Sequence, residues 1–253
     1  MKTDLFEKFE AAILAARPPI VRDERLLIES AGGISVYYAP FEYINESARI
    51  VLVGITPGPT QMENANKAAR VARTNGQSIA DTLRLAKQTA GFSGEPMRSN
   101  LIGQLNHWGV HDWLGLQDSA ELFSTAQHLV QSTSLLRYPV FKDGKDYAGS
   151  PSMTKNLLLR KQLLEHFVEE VRNLKDALFF SLGPKVQGVL DELATTGILP
   201  RDRIVDGLLH PSPNNTYRIN YLLGNRRGPL VHATNPAPYD EGRTRFRLGH
   251  LGC

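Results

Sequence analysis

Short apolar runs alternate with longer amphipathic segments along most of the chain. The runs carry few polar residues and end at glycine, proline or polar residues, which is typical of strands buried on both faces. The longer segments repeat apolar residues at the helical period. The pattern predicts strands over residues 49–54, 126–136, 177–183 and 204–209, and helices over residues 61–90, 97–109, 157–171 and 184–196.

The alternation of strands and helices, with connections long enough for a crossover, predicts an α/β fold with a largely parallel sheet. Asn75-Gly76 predicts a break within the first long helical segment, and Gly109 predicts the end of the next one. Near the N-terminus the helical period predicts a helix over residues 3–17, which Pro18-Pro19 ends.

The amino-acid composition of three further segments predicts their structure. β-branched and aromatic residues predict a strand over residues 34–38. Residues 141–151 are rich in turn formers, among them Asp143-Gly144, and predict an exposed loop. Glu165-His166 and Glu169-Glu170 lie in a segment that reads as an amphipathic helix, and a solvated face is the favoured interpretation for them.

The composition indicates an ordinary globular protein. The chain has 253 residues, 42% of them apolar, and we expect one domain over residues 1–253 with a basic C-terminal tail over residues 226–253. No apolar run is long enough to span a membrane. Cys253 is the single cysteine, so an internal disulfide and a cysteine-held zinc site are excluded. These features predict a soluble, intracellular and cytoplasmic protein.

Positive charge is concentrated near the C-terminus. The net charge is +3, and from residue 201 onward eight arginines face four acids, which gives 8 − 4 = +4. This predicts a surface that faces phosphate groups. A solvated tail is the alternative interpretation, above all for the last ten residues.

Two loops follow predicted strands, at the place where parallel sheets bind ligands. Residues 54–59 contain two glycines and two prolines, which makes the loop stiff and lets another backbone come close. Residues 210–215 begin with His210, whose imidazole could donate a hydrogen bond to a leaving group or an oxyanion. Taken singly, each loop could also be a structural turn. We predict that the two loops face each other across one pocket.

Together these loops resemble the two signature motifs of the uracil-DNA glycosylase superfamily, and they are nearest to its single-strand-selective and mismatch-specific branches. The motifs are Gly54-Ile55-Thr56-Pro57-Gly58-Pro59 and His210-Pro211-Ser212-Pro213-Asn214-Asn215. Segments 131–139 and 181–185 resemble two further strands of these enzymes in the right order. The resemblance spans roughly residues 45–225. It implies a three-layer α/β/α sandwich with a central, mostly parallel four-stranded sheet.

The resemblance also implies DNA as the partner, with a damaged or deaminated base flipped into a pocket. It implies no cofactor and no metal. His210 would stabilise the departing base, Thr56 would orient water, Phe92 would stack on the base, and Thr133 would contact the base edge. The implied base pocket also contains Gly54, Ile55 and Pro57, and the implied DNA-binding residues are Gly58, Pro59, Pro211, Ser212, Pro213, Asn214, Tyr217 and Arg218.

The chain departs from the family pattern at three polar positions. Thr56 stands where the family carries Asp, Asn or Glu, and a hydroxyl cannot act as a base near neutral pH. Thr133 stands where the family has an Asn amide. Asn214 stands where a wedge residue fills the gap left by the flipped base, and Tyr217 or Arg218 could take that role.

Three functions therefore remain open. The favoured one is a DNA glycosylase-like protein that binds a flipped or damaged base, with or without hydrolysis of its N-glycosidic bond. The others are a non-catalytic nucleic-acid or nucleotide-binding module and a hydrolase of free nucleosides. For Phe92, ordinary core packing is an equal alternative to base stacking. His107 and His111 have the helix spacing of metal ligands, but Gly109 interrupts that helix, so we expect no metal there.

Overall fold

The computed structural model describes residues 3–226 and 235–252, and the chain forms two compact units that are each built from several segments. The first unit comprises Met1–Glu46, Ile55–Ser93 and Ser132–Lys175. The second unit comprises Ser47–Gly54, Gly94–Gln131 and Asp176–Cys253. The expectation of one domain over residues 1–253 stays a prediction.

Both units combine helices with strands. The strands are β1 Leu27–Ala31, β2 Ile34–Tyr37, β3 Ile50–Gly54, β4 Val130–Ser134, β5 Val140–Lys142, β6 Lys145–Asp146, β7 Leu178–Ser181 and β8 Ile204–Val205. The helices are α1 Asp4–Ala15, α2 Pro59–Thr74, α3 Ile79–Ala90, α4 Met97–Trp108, α5 Val110–Leu114, α6 Leu157–Gln162, α7 Val168–Asn173, α8 Pro184–Thr195, α9 Thr216–Leu222 and α10 Ala237–His250.

A four-stranded parallel sheet has the strand order β4-β3-β7-β8, and its strands β3, β7 and β8 belong to the second unit. Strand β4 begins in this unit at Val130. Strand β3 is buried along its whole length and pairs with β7 in parallel, with Ile50 opposite Leu178. Strand β8 continues the sheet, with Phe179 opposite Ile204. The predicted α/β class with a four-stranded parallel sheet is therefore confirmed.

The first unit contains a four-stranded antiparallel sheet, β1-β2-β5-β6, that the sequence pattern did not indicate. Its two hairpins turn at Gly32-Gly33 and at Asp143-Gly144, and all four residues have positive φ. Positive φ at both central residues defines the type I′ turn, whose twist matches that of paired strands. The expected exposed loop over residues 141–151 is thus wrong in part, because Asp143-Gly144 closes a hairpin.

Two predicted strands are shorter in the structure. The strand expected over residues 126–136 is β4, Val130–Ser134, and a 3₁₀ turn precedes it. The strand expected over residues 204–209 ends at Val205. The next residues explain this end, because Asp206 accepts a hydrogen bond from Arg201 at 2.5 Å and Gly207 has φ 111°. The chain therefore leaves the extended conformation there.

The helical predictions agree with the structure in type. Helices α2 and α3 are separated near Asn75-Gly76, and α4 ends at Trp108, just before Gly109, whose φ is 80°. The helix expected over residues 157–171 consists of α6 and α7 joined by a π-helical turn, Leu163–Phe167. No helix in the described part of the chain is long and apolar enough to cross a membrane.

The described part of the C-terminal region contains helix α10, which belongs to the core of the second unit. Tyr239 and Phe246 of this helix are buried, and Phe246 meets Phe180 of β7 edge to face at 5.6 Å. Of the predicted basic tail over residues 226–253, residues 227–234 and 253 lie outside the described residues.

Candidate functional site

The His210 loop lies at the carboxyl edge of the parallel sheet in the second unit. The edge is defined by two backbone hydrogen bonds, from Leu182 to the carbonyl of Val53 at 3.1 Å and from Gly183 to the carbonyl of Leu208 at 2.9 Å. The carboxyl ends of β3, β7 and β8, which all belong to the second unit, therefore lie at one edge. This is where open parallel sheets place their ligands.

His210 is half-buried and has a defined tautomer. The backbone N–H of Ser212 donates to Nδ1 of His210 at 3.2 Å. Because an acceptor nitrogen of a neutral imidazole carries no hydrogen, the hydrogen is on Nε2, and Nε2 is the donor of the ring. Burial lowers the pKa of His210, which favours the neutral form. The ring is thus a neutral hydrogen-bond donor.

The backbone around His210 is held by side-chain amides. Gln104 donates to the carbonyl of Leu209 at 3.2 Å and accepts the Leu209 N–H at 2.9 Å. Asn100 donates to the carbonyl of Pro211 at 3.1 Å. Asn215 donates to the carbonyl of His210 at 2.8 Å. Three amide side chains therefore fix three consecutive residues, and two of them, Asn100 and Gln104, were not predicted from the sequence.

Gly183 approaches His210 closely. Its φ of 95° and ψ of 161° lie in a region that is essentially open to glycine alone. A Cβ atom at this position would lie 3.3 Å from the Cβ of His210 and 3.5 Å from its backbone nitrogen. The turn after β7 thus needs glycine both for its backbone angles and for the space beside His210.

The other loop residues with predicted DNA contacts are at least partly open to solvent, except Pro211, which is buried. Pro213 and Asn214 are exposed in a short 3₁₀ turn. The guanidinium of Arg226 lies 4.0 Å from the centroid of the Tyr217 ring, and Arg218 donates to Asn215 at 3.2 Å. Both candidate wedge residues therefore contact polar neighbours within the second unit. Their predicted role on DNA stays a prediction.

Thr56 lies in the first unit, where its hydroxyl bridges two backbone groups. It donates to the carbonyl of Tyr138 at 2.9 Å and accepts the N–H of Val140 at 3.1 Å. A hydroxyl has one hydrogen and two acceptor lone pairs, so one lone pair of Thr56 is left for a water molecule. Beside it, the carbonyl of Ile55 accepts the N–H of Leu136 at 3.0 Å. The Thr56 hydroxyl thus connects the first motif to the segment after β4.

The start of α2 connects the first motif to the Phe92 segment within the first unit. Gly58 donates its N–H to Oε1 of Gln61 at 3.0 Å, and Nε2 of Gln61 donates to the carbonyl of Ser93 at 2.6 Å. Pro57 precedes this turn, and Pro59 is the first residue of the helix. One amide side chain therefore links the predicted phosphate-binding glycine with the neighbour of the predicted stacking residue.

Phe92 is buried and has a φ of 48°, which is unusual for a bulky residue. Its neighbours hold it there, because Asn64 donates to the hydroxyl of Ser93 at 2.9 Å and Gly91 packs against Ser132 of β4. A Cβ atom on Gly91 would lie only 2.6 Å from the Cβ of Ser132. Such over-determined strain is common at functional sites.

The hydroxyls of β4 divide between its two faces. Ser132 lies against Gly91, and because successive side chains of a strand alternate, Thr133 points to the opposite face. Thr133 is buried, and its hydroxyl has no hydrogen-bond partner among the described residues. Thr133 is the residue for which the resemblance implies the contact with the base edge. The structure brings Ser132, not Thr133, against the segment that carries Phe92.

A buried ionic cluster in the first unit was not expected. Glu170 is fully buried and accepts from Arg137 at 3.0 Å and from Lys87 at 3.2 Å, so its assignment to a solvated helix face is wrong. Burial lowers the pKa of Lys87 to about 8, although Glu170 opposes this shift. The π-helical turn offers the carbonyl of His166 to Arg137 at 3.0 Å. The cluster anchors the chain just after β4.

His107 takes part in a local polar contact of the second unit. Its Nδ1 lies 3.0 Å from the Tyr239 hydroxyl, and its Nε2 contacts Arg243. Burial is the main cause that lowers the pKa of His107, and the positive charge of Arg243 lowers it further. Within residues 3–226 and 235–252 no group of three or more His, Cys, Asp or Glu side chains could hold a metal ion.

The predicted site residues thus fall into two groups. His210, residues 211–214 and Gly54 at the end of β3 all belong to the second unit. The first unit joins Thr56 to the segment after β4 and, separately, Gly58 to the Phe92 segment. The prediction that the two loops face each other concerns both units and stays a prediction.

These features define an α/β protein with a histidine-bearing loop at the carboxyl edge of a parallel sheet. The chain is 34% identical to the "Uncharacterized protein YoxB" of Bacillus subtilis over 196 residues, which cover 76% of each chain. It belongs to the same family as that protein. No family model and no solved structure matches the chain.

Proposed function

We propose that the protein is a DNA glycosylase-like enzyme that binds DNA with a flipped or damaged base and hydrolyses the N-glycosidic bond of that base. The proposal includes the three-layer α/β/α sandwich that is typical of uracil-DNA glycosylases. It rests first on the resemblance of residues 54–59 and 210–215 to the two motifs of that superfamily.

The hydrogen bond from the Ser212 N–H to Nδ1 of His210 is the observation that carries the proposal, because it leaves the hydrogen of the neutral ring on Nε2. In the reaction, the bond between C1′ of the sugar and the base nitrogen breaks, and its electron pair leaves with the base. A water oxygen then bonds to C1′, and a proton of that water is released. A neutral donor aimed at an oxygen of the departing base stabilises its growing negative charge. His210 can supply this hydrogen bond from Nε2, because the Ser212 N–H occupies Nδ1.

The remaining roles follow the motif positions. Phe92 stacks on the base, as aromatic side chains do on unstacked bases. Ser212 and Gly58 bind backbone phosphates, which small residues and backbone amides can approach closely. Thr133 holds the motif position of the base-edge contact, but Ser132 is the β4 hydroxyl on the face of the Phe92 segment, so a base stacked on Phe92 lies on the side of Ser132.

One observation favours a second candidate, a non-catalytic nucleic-acid or nucleotide-binding module. The hydroxyl hydrogen of Thr56 is committed to the carbonyl of Tyr138, so this residue can hold water only as an acceptor. It cannot take a proton near neutral pH. Under the first proposal, the reaction therefore depends on stabilisation of the leaving base more than on activation of water.

A binding and excision assay separates the two candidates. Pure protein in excess is incubated with single- and double-stranded oligonucleotides that contain uracil, hypoxanthine or xanthine, and abasic products are measured. Product formation supports the enzyme. Binding that weakens with salt, without product, supports the module, because phosphate contacts release counterions. Thr56→Asn is the informative variant in that case: a gain of excision would identify Thr56 as the cause of lost activity.

Free nucleosides are the control substrate for a third candidate, a nucleoside hydrolase. Release of base from nucleosides, without binding to oligonucleotides, would contradict both DNA-directed proposals.

A further inference from the structure

Two amide side chains of α4 bracket His210 in the second unit. Asn100 and Gln104 are four residues apart, so they lie one helical turn apart on the same face of the helix. Gln104 binds the residue immediately before His210 through both its N–H and its carbonyl. Asn100 binds the carbonyl of Pro211, immediately after His210. The two bonded residues are the direct chain neighbours of the imidazole-bearing residue.

The side-chain amides of both residues are buried where they make these contacts. Gln104 has no exposed surface and Asn100 has 6%. A side-chain amide that is buried inside the protein loses its hydrogen bonds to water, and partners in the protein must replace them. The Gln104 amide replaces them by binding both the N–H and the carbonyl of Leu209, as the backbone of a neighbouring strand would. Asn100 also donates to the Thr216 hydroxyl at 2.8 Å, which fixes the start of α9 beyond the loop.

The position of the loop backbone determines the tautomer of His210. The bond from the Ser212 N–H to Nδ1 spans only two residues and needs a fixed path of the chain through Pro211. If Leu209 or Pro211 shifted, the N–H would leave Nδ1 and the imidazole could exchange hydrogen between its nitrogens. Asn100 and Gln104 do not touch the Nε2 donor themselves, so they act through the backbone.

We infer that Asn100 and Gln104 are positioning residues that hold the His210 loop so that the imidazole keeps its hydrogen on Nε2. The catalytic meaning of this arrangement rests on the proposed function, but the arrangement itself does not. In the absence of the amide bonds, both tautomers of His210 become populated and the ring becomes more accessible to water. Its pKa then rises toward the ordinary value, because less burial opposes the charged form.

The test is nitrogen NMR of the histidine rings in the full chain labelled with ¹⁵N, recorded without DNA. The His210 signals are identified by their absence from the spectrum of His210→Ala. In the unmodified protein we expect one pattern, with an unprotonated Nδ1 and a protonated Nε2. In Gln104→Met, which keeps the side-chain length but has no amide, we expect loss of this single pattern and a rise of the His210 pKa.

Asn106→Ala is the matched control. Asn106 is an amide on the same helix, but it bonds to Asp118 and to the N–H of Ser119. Its removal should leave the His210 pattern unchanged. Asn100→Ala removes the bond to Pro211 after His210 together with the bond to the Thr216 hydroxyl, keeps both bonds of Gln104 to Leu209, and provides a second variant if Gln104→Met does not fold.

A wild-type tautomer pattern and pKa of His210 in the folded Asn100 and Gln104 variants would overturn the inference. Because no substrate is present, this outcome is independent of whether the protein excises a base. Conversely, the unmodified protein could lack excision activity while its Gln104→Met variant loses the tautomer pattern. That result would support the inference and contradict the proposed function.

Discussion

The backbone N–H of Ser212 donates to Nδ1 of His210 at 3.2 Å, and this single contact fixes which imidazole nitrogen carries hydrogen. The contact lies within one short loop, so the conformation of that loop determines which ring nitrogen can donate a hydrogen bond. A protonated imidazole has a hydrogen on both nitrogens and would oppose the Ser212 N–H with a second donor.

The first prediction concerns pH. Burial lowers the pKa of His210 in the folded protein below the ordinary value of 6.5. The stability contributed by the neutral ring is therefore complete above the unfolded value and is lost as pH falls through the lowered folded pKa. A titration of the ring nitrogens by NMR should show His210 protonating below the ordinary value. Titration of His210 at or above the ordinary value would contradict this.

Gly183 provides a second prediction. Gly183→Ala should destabilise the fold by about 1–3 kcal/mol, because its backbone region is essentially restricted to glycine and the new Cβ would press on His210. Urea denaturation measures the free energy of unfolding, and the His210 ring signals should shift in the same variant. Gly197→Ala is the control, since Gly197 also has positive φ but has nothing within 4 Å of its Cβ position. Equal losses of stability and unchanged ring signals would count against the close contact.

Thr56 provides a third prediction. Thr56→Val keeps the shape but leaves the carbonyl of Tyr138 and the N–H of Val140 without this partner, at a cost of about 1–3 kcal/mol. Thr56→Ser keeps the hydroxyl and should be much closer to the unmodified protein in a urea denaturation. Similar stabilities of the Val and Ser variants would show that the bridge contributes nothing.

The sequence predicted the elements that its pattern determines directly. The buried run of β3 and the glycine ends of α2 and α4 were found, because apolar periodicity and helix-ending glycines are local signals. The antiparallel sheet was missed, although Gly32-Gly33 and Asp143-Gly144 are the turn pairs that type I′ hairpins favour. Its strands are short, and the two hairpins lie far apart in the chain.

In the candidate site, too, some residues were predicted from local sequence motifs and others were missed. His210 and Thr56 were found from motifs, whereas Asn100 and Gln104 were not, because a polar side chain on a helix is usually exposed. Their spacing of four residues is the only sequence signal for a shared role. Glu170 was misassigned for the same reason, since its partners Lys87 and Arg137 are distant in sequence. Tertiary contacts, not local pattern, bury these groups.

Glu170 carries the fourth prediction. It is the anion between two buried cations, so Glu170→Gln leaves Lys87 and Arg137 without their shared counter-charge. Removing one member of a buried ion pair costs about 3–5 kcal/mol. Lys87→Met should lower the free energy of unfolding by less, since Glu170 then keeps its ion pair with Arg137. Glu165→Gln, at an exposed position one turn earlier, is the control in thermal or urea denaturation. If Glu170→Gln were as mild as the control, the cluster would have no role in stability.

Under the proposed function, His210 stabilises a departing base. The most direct test of this role is the single-turnover rate of base excision from oligonucleotides that contain uracil, hypoxanthine or xanthine, with protein in excess, for the unmodified protein, His210→Ala and the exposed control His128→Ala. Loss of one such donor lowers rates by about 100- to 1000-fold, so we expect this loss in His210→Ala and none in His128→Ala. Absence of abasic product from the unmodified protein, or equal rates with and without His210, would contradict the claim.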